Sequence, residues 1–127
     1  MKDLFIAMTL CALSVSAFAA EYKCDKYTAS YDRTYCMSKL FVESDNELNE
    51  VYKELREKIS EEGKVDLKKT EVSWIKYRNS KCEVMPGTID VRCSYEVNVE
   101  RTNYLRDRLR ECKVGQCDYK AIKRQSW

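Results

Sequence analysis

The sequence contains no histidine. That absence removes Ser/His and Cys/His nucleophile arrangements, His-ligated zinc sites and the side chain that usually shuttles protons near neutral pH. Catalysis would have to rest on carboxylates, Lys, Tyr or Cys. No Cys-x-x-Cys redox spacing is present, and no motif builds a pocket that would push the pKa values of two carboxylates apart. The expectation is a chain that is not an enzyme and holds no metal or cofactor. An excess of one charge is also missing: 23 basic residues face 21 acidic ones, a net +2. With no recognised nucleic-acid motif, that balance argues against a nucleic-acid partner and makes any functional field a local one. One Pro and three Gly in 127 residues leave few breakers, enough for one small domain and no large enzyme core.

What is present begins with an export signal. Lys2 gives a short basic start, Leu4 to Val15 an apolar run, and Ala17-Phe18-Ala19 a small-x-small cleavage pattern. Residues 1–19 are expected to be removed, leaving 20–127 as a single helical domain, periplasmic or secreted. The apolar run is shorter than the roughly 20 residues a spanning helix needs, and no later run approaches that length, so no stable membrane insertion is expected after cleavage. Leu10 before Cys11 and the continuing apolar run beyond it disfavour lipidation of that cysteine. Six cysteines remain: Cys24, Cys36, Cys82, Cys93, Cys112 and Cys117. In a small exported chain they favour disulfides over metal thiolates. Six cysteines permit fifteen pairings; nearest-neighbour pairing is preferred, because each loop is short and bounded by helix ends.

The hydrophobic period is helical throughout. Met37, Leu40, Phe41, Leu48, Val51, Tyr52, Leu55 and Ile59 recur at steps of three and four, predicting a helix from about Tyr35 to Glu62 with Gly63 as its stop. Asp66 is read as the cap of a second helix over about Leu67 to Val84, with Leu67, Trp74 and Ile75 on its apolar side. Pro86-Gly87 marks a turn, and Thr88 or Asp90 starts a third helix to about Cys112. The fold class is all-α: a small antiparallel three-helix bundle stapled by about three disulfides, with a short C-terminal tail. Tyr27, Tyr31 and Tyr35 recur every four residues and are expected to pack on the core.

Three motifs share this frame: Leu48-Asn49-Glu50-Val51-Tyr52 on the first helix, Trp74-Ile75-Lys76-Tyr77-Arg78 running into Cys82 on the second, and Cys93 followed by Arg101 and Leu105 on the third. Together they resemble the LprI-like lysozyme inhibitor family, over the span from Cys24 to Cys112. The resemblance implies an exported, helical, disulfide-bonded bacterial protein whose partner is a protein, a lysozyme. The weak lipidation site and the early end of the chain, too early for the extra C-terminal domain some relatives carry, set the expectation of a free module rather than an anchored one. Leu48, Asn49, Tyr52, Trp74, Arg78, Arg101 and Leu105 are read as structural: a guanidinium four residues from Trp74 can lie against the indole, which is expected to be buried.

Between Glu43 and Glu62 eight carboxylates face only Lys53, Arg56 and Lys58. Lysozymes are commonly basic, with catalytic carboxylates in a cleft. Glu43, Glu47, Glu50, Glu54 and Glu57 are therefore the candidate contacts for such a partner, set against the alternative of an ordinary solvated face. Basic residues gather at Arg101, Arg106, Arg108, Arg110, Lys113, Lys120, Lys123 and Arg124, available for an anionic envelope polymer or for pairing with the acidic helix. Two other readings fit the same residues: an immunity or adaptor protein binding another envelope-targeted toxin or secretion component, and a structural envelope protein.

Overall fold

The structure, a computed structural model, describes residues 23–127. The expected signal over residues 1–19, its cleavage point and Cys11 lie outside the described residues. Helix α1 runs over Ser30–Lys58, α2 over Glu61–Cys82, α3 over Val91–Lys113, and a short α4 over Tyr119–Ile122. Strands β1 (Glu83–Met85) and β2 (Thr88–Ile89) form a small antiparallel hairpin between α2 and α3, pairing Glu83 with Ile89 and Met85 with Thr88. The fold is an all-α bundle tied by three disulfides.

Consecutive long helices run antiparallel, so α1 and α3 run parallel, and this pair packs most extensively. Its register shows in the polar contacts along the seam: Asn98 meets Ser44, Arg106 meets Glu47, Lys113 meets Glu54, and the Cys117 sulfur faces the Lys58 carbonyl. Inside the bundle Leu48, Val51 and Leu55 of α1, Leu67 and Trp74 of α2, and Val97, Leu105 and Leu109 of α3 close one core, capped at one end by Ile59 and Ile122. Each series repeats at three, four, seven or eight residues, one helical face turned inward.

The helix ends depart from the sequence-based expectation at several points. Helix α1 stops at Lys58 and not at Glu62, and Gly63 is no stop but part of the first turn of α2. Ser60, rather than Asp66, caps α2: its Oγ accepts the Gly63 N–H at 3.1 Å, and Glu61 and Glu62 add negative charge to the first turn, where the helix dipole favours it. Gly63 is required by a distant side chain. A Cβ there would lie 2.7 Å from the Tyr119 ring, whose hydroxyl accepts the Ser60 N–H at 3.0 Å. The second helix ends at Cys82, two residues short of Val84, because the chain turns into the hairpin. Gly87, at φ 77°, follows Pro86 in the turn, the left-handed position that glycine fills without strain.

Helix α3 starts at Val91, with the Asp90 carboxylate accepting the N–H groups of Arg92 and Cys93 at 2.8 and 3.2 Å. It ends in a Schellman motif: Gln116 N–H donates to the Glu111 carbonyl and Gly115 N–H to that of Cys112, with Gly115 at φ 77°. The bridges join Cys24 to Cys36, Cys82 to Cys93, and Cys112 to Cys117, each fastening a helix end to the segment beside it. The C-terminal tail is ordered onto the bundle: Ile122 is buried, its carbonyl accepts from the Thr70 hydroxyl at 3.1 Å, and Tyr104 donates to the Ala121 carbonyl at 2.7 Å.

Candidate protein-binding face

Two polar constructions occupy the bundle, one inside and one outside. The inner one surrounds Trp74, which is 3% exposed. Two guanidinium groups contact its indole, Arg78 at 5.4 Å and Arg101 at 5.7 Å from the ring centre. Arg78 also lies 5.5 Å from Phe41, and Arg101 stacks on Tyr104 and on Trp127, so aromatic and cationic planes alternate across the three helices and the tail.

Both arginines are hydrogen-bonded. Arg78 Nη1 donates to Asp45 Oδ1 at 3.1 Å and Asn98 Oδ1 at 2.9 Å, while the Asn98 amide donates to Ser44 Oγ. Arg101 directs Nε and Nη2 to one oxygen of Glu71, at 3.1 and 2.9 Å. Burial pushes the Glu71 carboxyl above the usual carboxylate range, with the Arg101 guanidinium pulling it back down. Among the described residues no buried side-chain nitrogen or oxygen lacks a partner. The construction is a satisfied polar core.

The motif residues fall on both sides of this boundary. Leu48, Trp74, Arg101 and Leu105 are buried, Tyr52 and Arg78 half-buried, and Asn49 is exposed. Ile75 was expected on the apolar side with Trp74 but is 39% exposed, because one residue advances the helix by about 100°, out of the packed face.

The outer construction runs along α1. Glu43, Glu47, Glu50, Glu54 and Glu57 are all exposed, spaced at three and four so that they form one stripe on the flank towards α3. The structure separates them by partner. Glu47 pairs with Arg106 and Glu54 with Lys113 across the seam, which takes up part of the basic third helix. Among the described residues Glu43, Glu50 and Glu57 have no ion pair or side-chain hydrogen bond. Other α3 cations are also committed, Arg108 to Glu111 and Arg110 to Asp107, while Arg124 of the tail lies over the Tyr104 ring. Asp45, counted in the same acidic run, belongs to the inner construction through Arg78.

At its N-terminal end the stripe meets exposed aromatic surface. The tyrosines expected to pack on the core do not: Tyr27, Tyr31 and Tyr35 are 37, 79 and 60% exposed. Tyr31 and Tyr35, four residues apart in the first turns of α1, share a side of that helix that faces away from the core occupied by Met37, Ser44 and Leu48, whereas Tyr27 lies in the non-helical stretch before it. Tyr27 and Tyr35 line an open concavity of about 210 Å³ with Lys23, Asp32, Lys39 and Glu43, so Glu43 belongs to both the concavity and the stripe. Tyr rings with polar tips and a row of unpaired carboxylates together make a surface suited to a protein partner.

Sequence reasoning missed three features. The Glu71–Arg101 pair carried a readable signal, since Leu67, Thr70, Glu71, Trp74 and Arg78 share one helix face and a carboxylate there must find a partner. The contributions of Tyr119 and Trp127 carried none, because both depend on how the tail folds back. Among the described residues no group of three or more His, Cys, Asp or Glu side chains is placed to hold a metal ion, and no helix is long and apolar enough to cross a membrane. The family described as "Lysozyme inhibitor LprI" matches residues 24–105, well over half of the chain, from the first bridged cysteine to Leu105 in the core of α3. Comparison with curated proteins and with solved structures found no match.

Proposed function

The chain belongs to the LprI lysozyme inhibitor family, and from that premise we propose that it is an exported inhibitor that binds a basic muramidase through the outer face of α1 and blocks substrate access. It performs no chemistry of its own. The observation that carries the reading is the set of exposed glutamates without ion-pair partners among the described residues, Glu43, Glu50 and Glu57, with the exposed Tyr27 and Tyr35 sharing a concavity with Glu43. Carboxylates not spent on intramolecular pairs are available to steer and hold a cationic enzyme, and aromatic residues beside them supply desolvated contact area. A rigid helix braced by the buried Trp74 stack loses little conformational freedom on docking.

Lysis of peptidoglycan by a panel of lysozymes, with and without the oxidised chain 20–127 over a salt series, tests the reading. Dose-dependent protection that weakens as salt rises is expected. Reversing Glu43, Glu50 and Glu57 to Lys should weaken inhibition by about tenfold or more, taking each exposed charge contact at a few tenths to ~1 kcal/mol. Absence of protection against every lysozyme class would overturn the proposal, and undiminished inhibition by the triple variant would remove α1 from it.

A further inference from the structure

The outer face of α2 has the opposite character from the stripe on α1. From Glu61 to Cys82 the helix carries five lysines and four carboxylates, Glu61 and Glu62 in its first turn and Asp66 and Glu71 beyond it. Beyond that first turn no carboxylate occupies the outward face: Asp66 and Glu71 are both half-buried, and Glu71 is bound to Arg101. Lys68, Lys69 and Lys76 are exposed there and form no ion pair among the described residues, whereas Lys64 is held by Glu61. Between the lysines stand apolar side chains that no part of the described chain covers, Val65 at 54%, Val72 at 47% and Ile75 at 39% exposed. Lys68, Lys69 and Lys76 surround, with Val72 and Ser73, a shallow depression of about 330 Å³.

We propose that this face of α2 adsorbs reversibly to a membrane surface of anionic phospholipid. Charge complementarity selects an anionic partner, because over Val65 to Lys76 three ammonium groups lie on a face with no exposed carboxylate, the exposed Glu61 and Glu62 standing beyond its N-terminal end and Glu61 being paired with Lys64. The interleaved aliphatic residues select among anions: a water-soluble polyanion has no use for Val65, Val72 and Ile75, whereas the boundary between headgroups and acyl chains takes up both kinds of side chain. In the depression, the ammonium groups and the Ser73 hydroxyl are donors for a phosphodiester, with Val72 beside them for the apolar portion below it. The patch from Val65 to Lys76 extends about 16 Å along the helix at 1.5 Å per residue, so the helix lies flat on the surface and does not span it. The α1 stripe is repelled by the same surface, which turns Glu43, Glu50 and Glu57 towards water. Adsorption is thus independent of the inhibitor reading and compatible with it.

The test is co-sedimentation of the oxidised chain 20–127 with vesicles of equal parts phosphatidylglycerol and phosphatidylcholine, and with phosphatidylcholine alone. Binding is expected only to the anionic vesicles and should fall as salt rises. Lys68→Glu/Lys69→Glu/Lys76→Glu should lower partitioning by at least about a hundredfold, from about fivefold per lysine lost. Val65→Ser/Val72→Ser/Ile75→Ser should also lower it, while Glu43→Lys/Glu50→Lys/Glu57→Lys should leave it undiminished. Unchanged circular dichroism melting in all three variants establishes that they fold. Three results would overturn the proposal: no binding to anionic vesicles, full binding by the Val/Ile variant with equal competition from soluble polyphosphate, or lysine-dependent self-association in sedimentation velocity without vesicle binding. The second would identify a soluble polyanion as the occupant, and the third a second copy of this chain.

Discussion

The Trp74 stack and the α1 glutamate stripe are written in the same three-and-four spacing, yet they differ in how many partners each charge has. Arg78 touches two rings and three side-chain acceptors, and Arg101 touches three rings and one carboxylate. Glu43, Glu50 and Glu57 are exposed, with no ion pair in the described chain. A buried charge must be paired and hydrogen-bonded to be tolerated at all, whereas an exposed one is stabilised by water and remains available. Changes inside should therefore be read as stability and changes outside as binding.

The largest effect that would break this contrast is expected at Arg101. Its side chain is 2% exposed, and Arg101→Met strands the Glu71 carboxylate in the core, at a cost of about 3–5 kcal/mol in denaturant unfolding. Arg101 holds the Glu71 pKa down against burial, so its removal raises that pKa further. A carboxyl whose folded pKa lies above its unfolded value contributes stability at low pH that is lost as pH rises through the folded value. The penalty of Arg101→Met should accordingly be smaller near pH 4 than near pH 8. Adding Glu71→Leu removes the stranded charge and should recover most of the loss. A cost of Arg101→Met below ~1 kcal/mol, the same at both pH values, would show that Arg101 behaves like a surface charge.

A smaller effect is expected where the tail meets α2. Gly63→Ala puts a methyl group 2.7 Å from the Tyr119 ring, and because the Tyr119 hydroxyl is held by the Ser60 N–H the ring cannot swing away without losing that bond. Overpacking of this kind costs about 1–3 kcal/mol, although alanine is the better helix former. Thermal melting of Gly63→Ala alone and with Tyr119→Ala checks this: the ring deletion should make alanine at 63 neutral or favourable relative to glycine.

These two sites also mark where the sequence was legible. The helices and much of their buried faces follow from local spacing, as with Leu48, Val51 and Leu55 or Val97, Leu105 and Leu109, because one face of each turns inward. The break between α1 and α2 was misplaced although its true signal was local: Ser60-Glu61-Glu62 is a cap followed by an acidic first turn. What Gly63 answers to was not local, since Tyr119 stands 56 positions away. For Tyr31 and Tyr35 the period identified a shared helix side and not its direction, which depends on where the rest of the bundle lies, and it does not apply to Tyr27, which precedes the helix. Likewise the acidic stripe was readable on α1, but its division into paired and unpaired glutamates follows from the parallel docking of α3.

That division supports the finest test of the contrast, within the stripe itself. Glu47→Gln with Glu54→Gln removes two seam pairs, each exposed on both partners, and should cost no more than about 1 kcal/mol per pair, less at high salt. Glu43→Gln/Glu50→Gln/Glu57→Gln removes no pair, and its melting midpoint should stay within the equivalent of about 0.5 kcal/mol of wild type. Inhibition should rank the other way. The unpaired set should lose more protection of lysozyme substrate than the paired set, because Arg106 and Lys113 already neutralise Glu47 and Glu54 where a cationic enzyme would approach. Equal losses from the two sets would mean that the field of the whole helix, and not the free carboxylates, governs docking. A larger loss from the paired set would move the contact to the α1–α3 seam, with the partner displacing Arg106 and Lys113 from their glutamates.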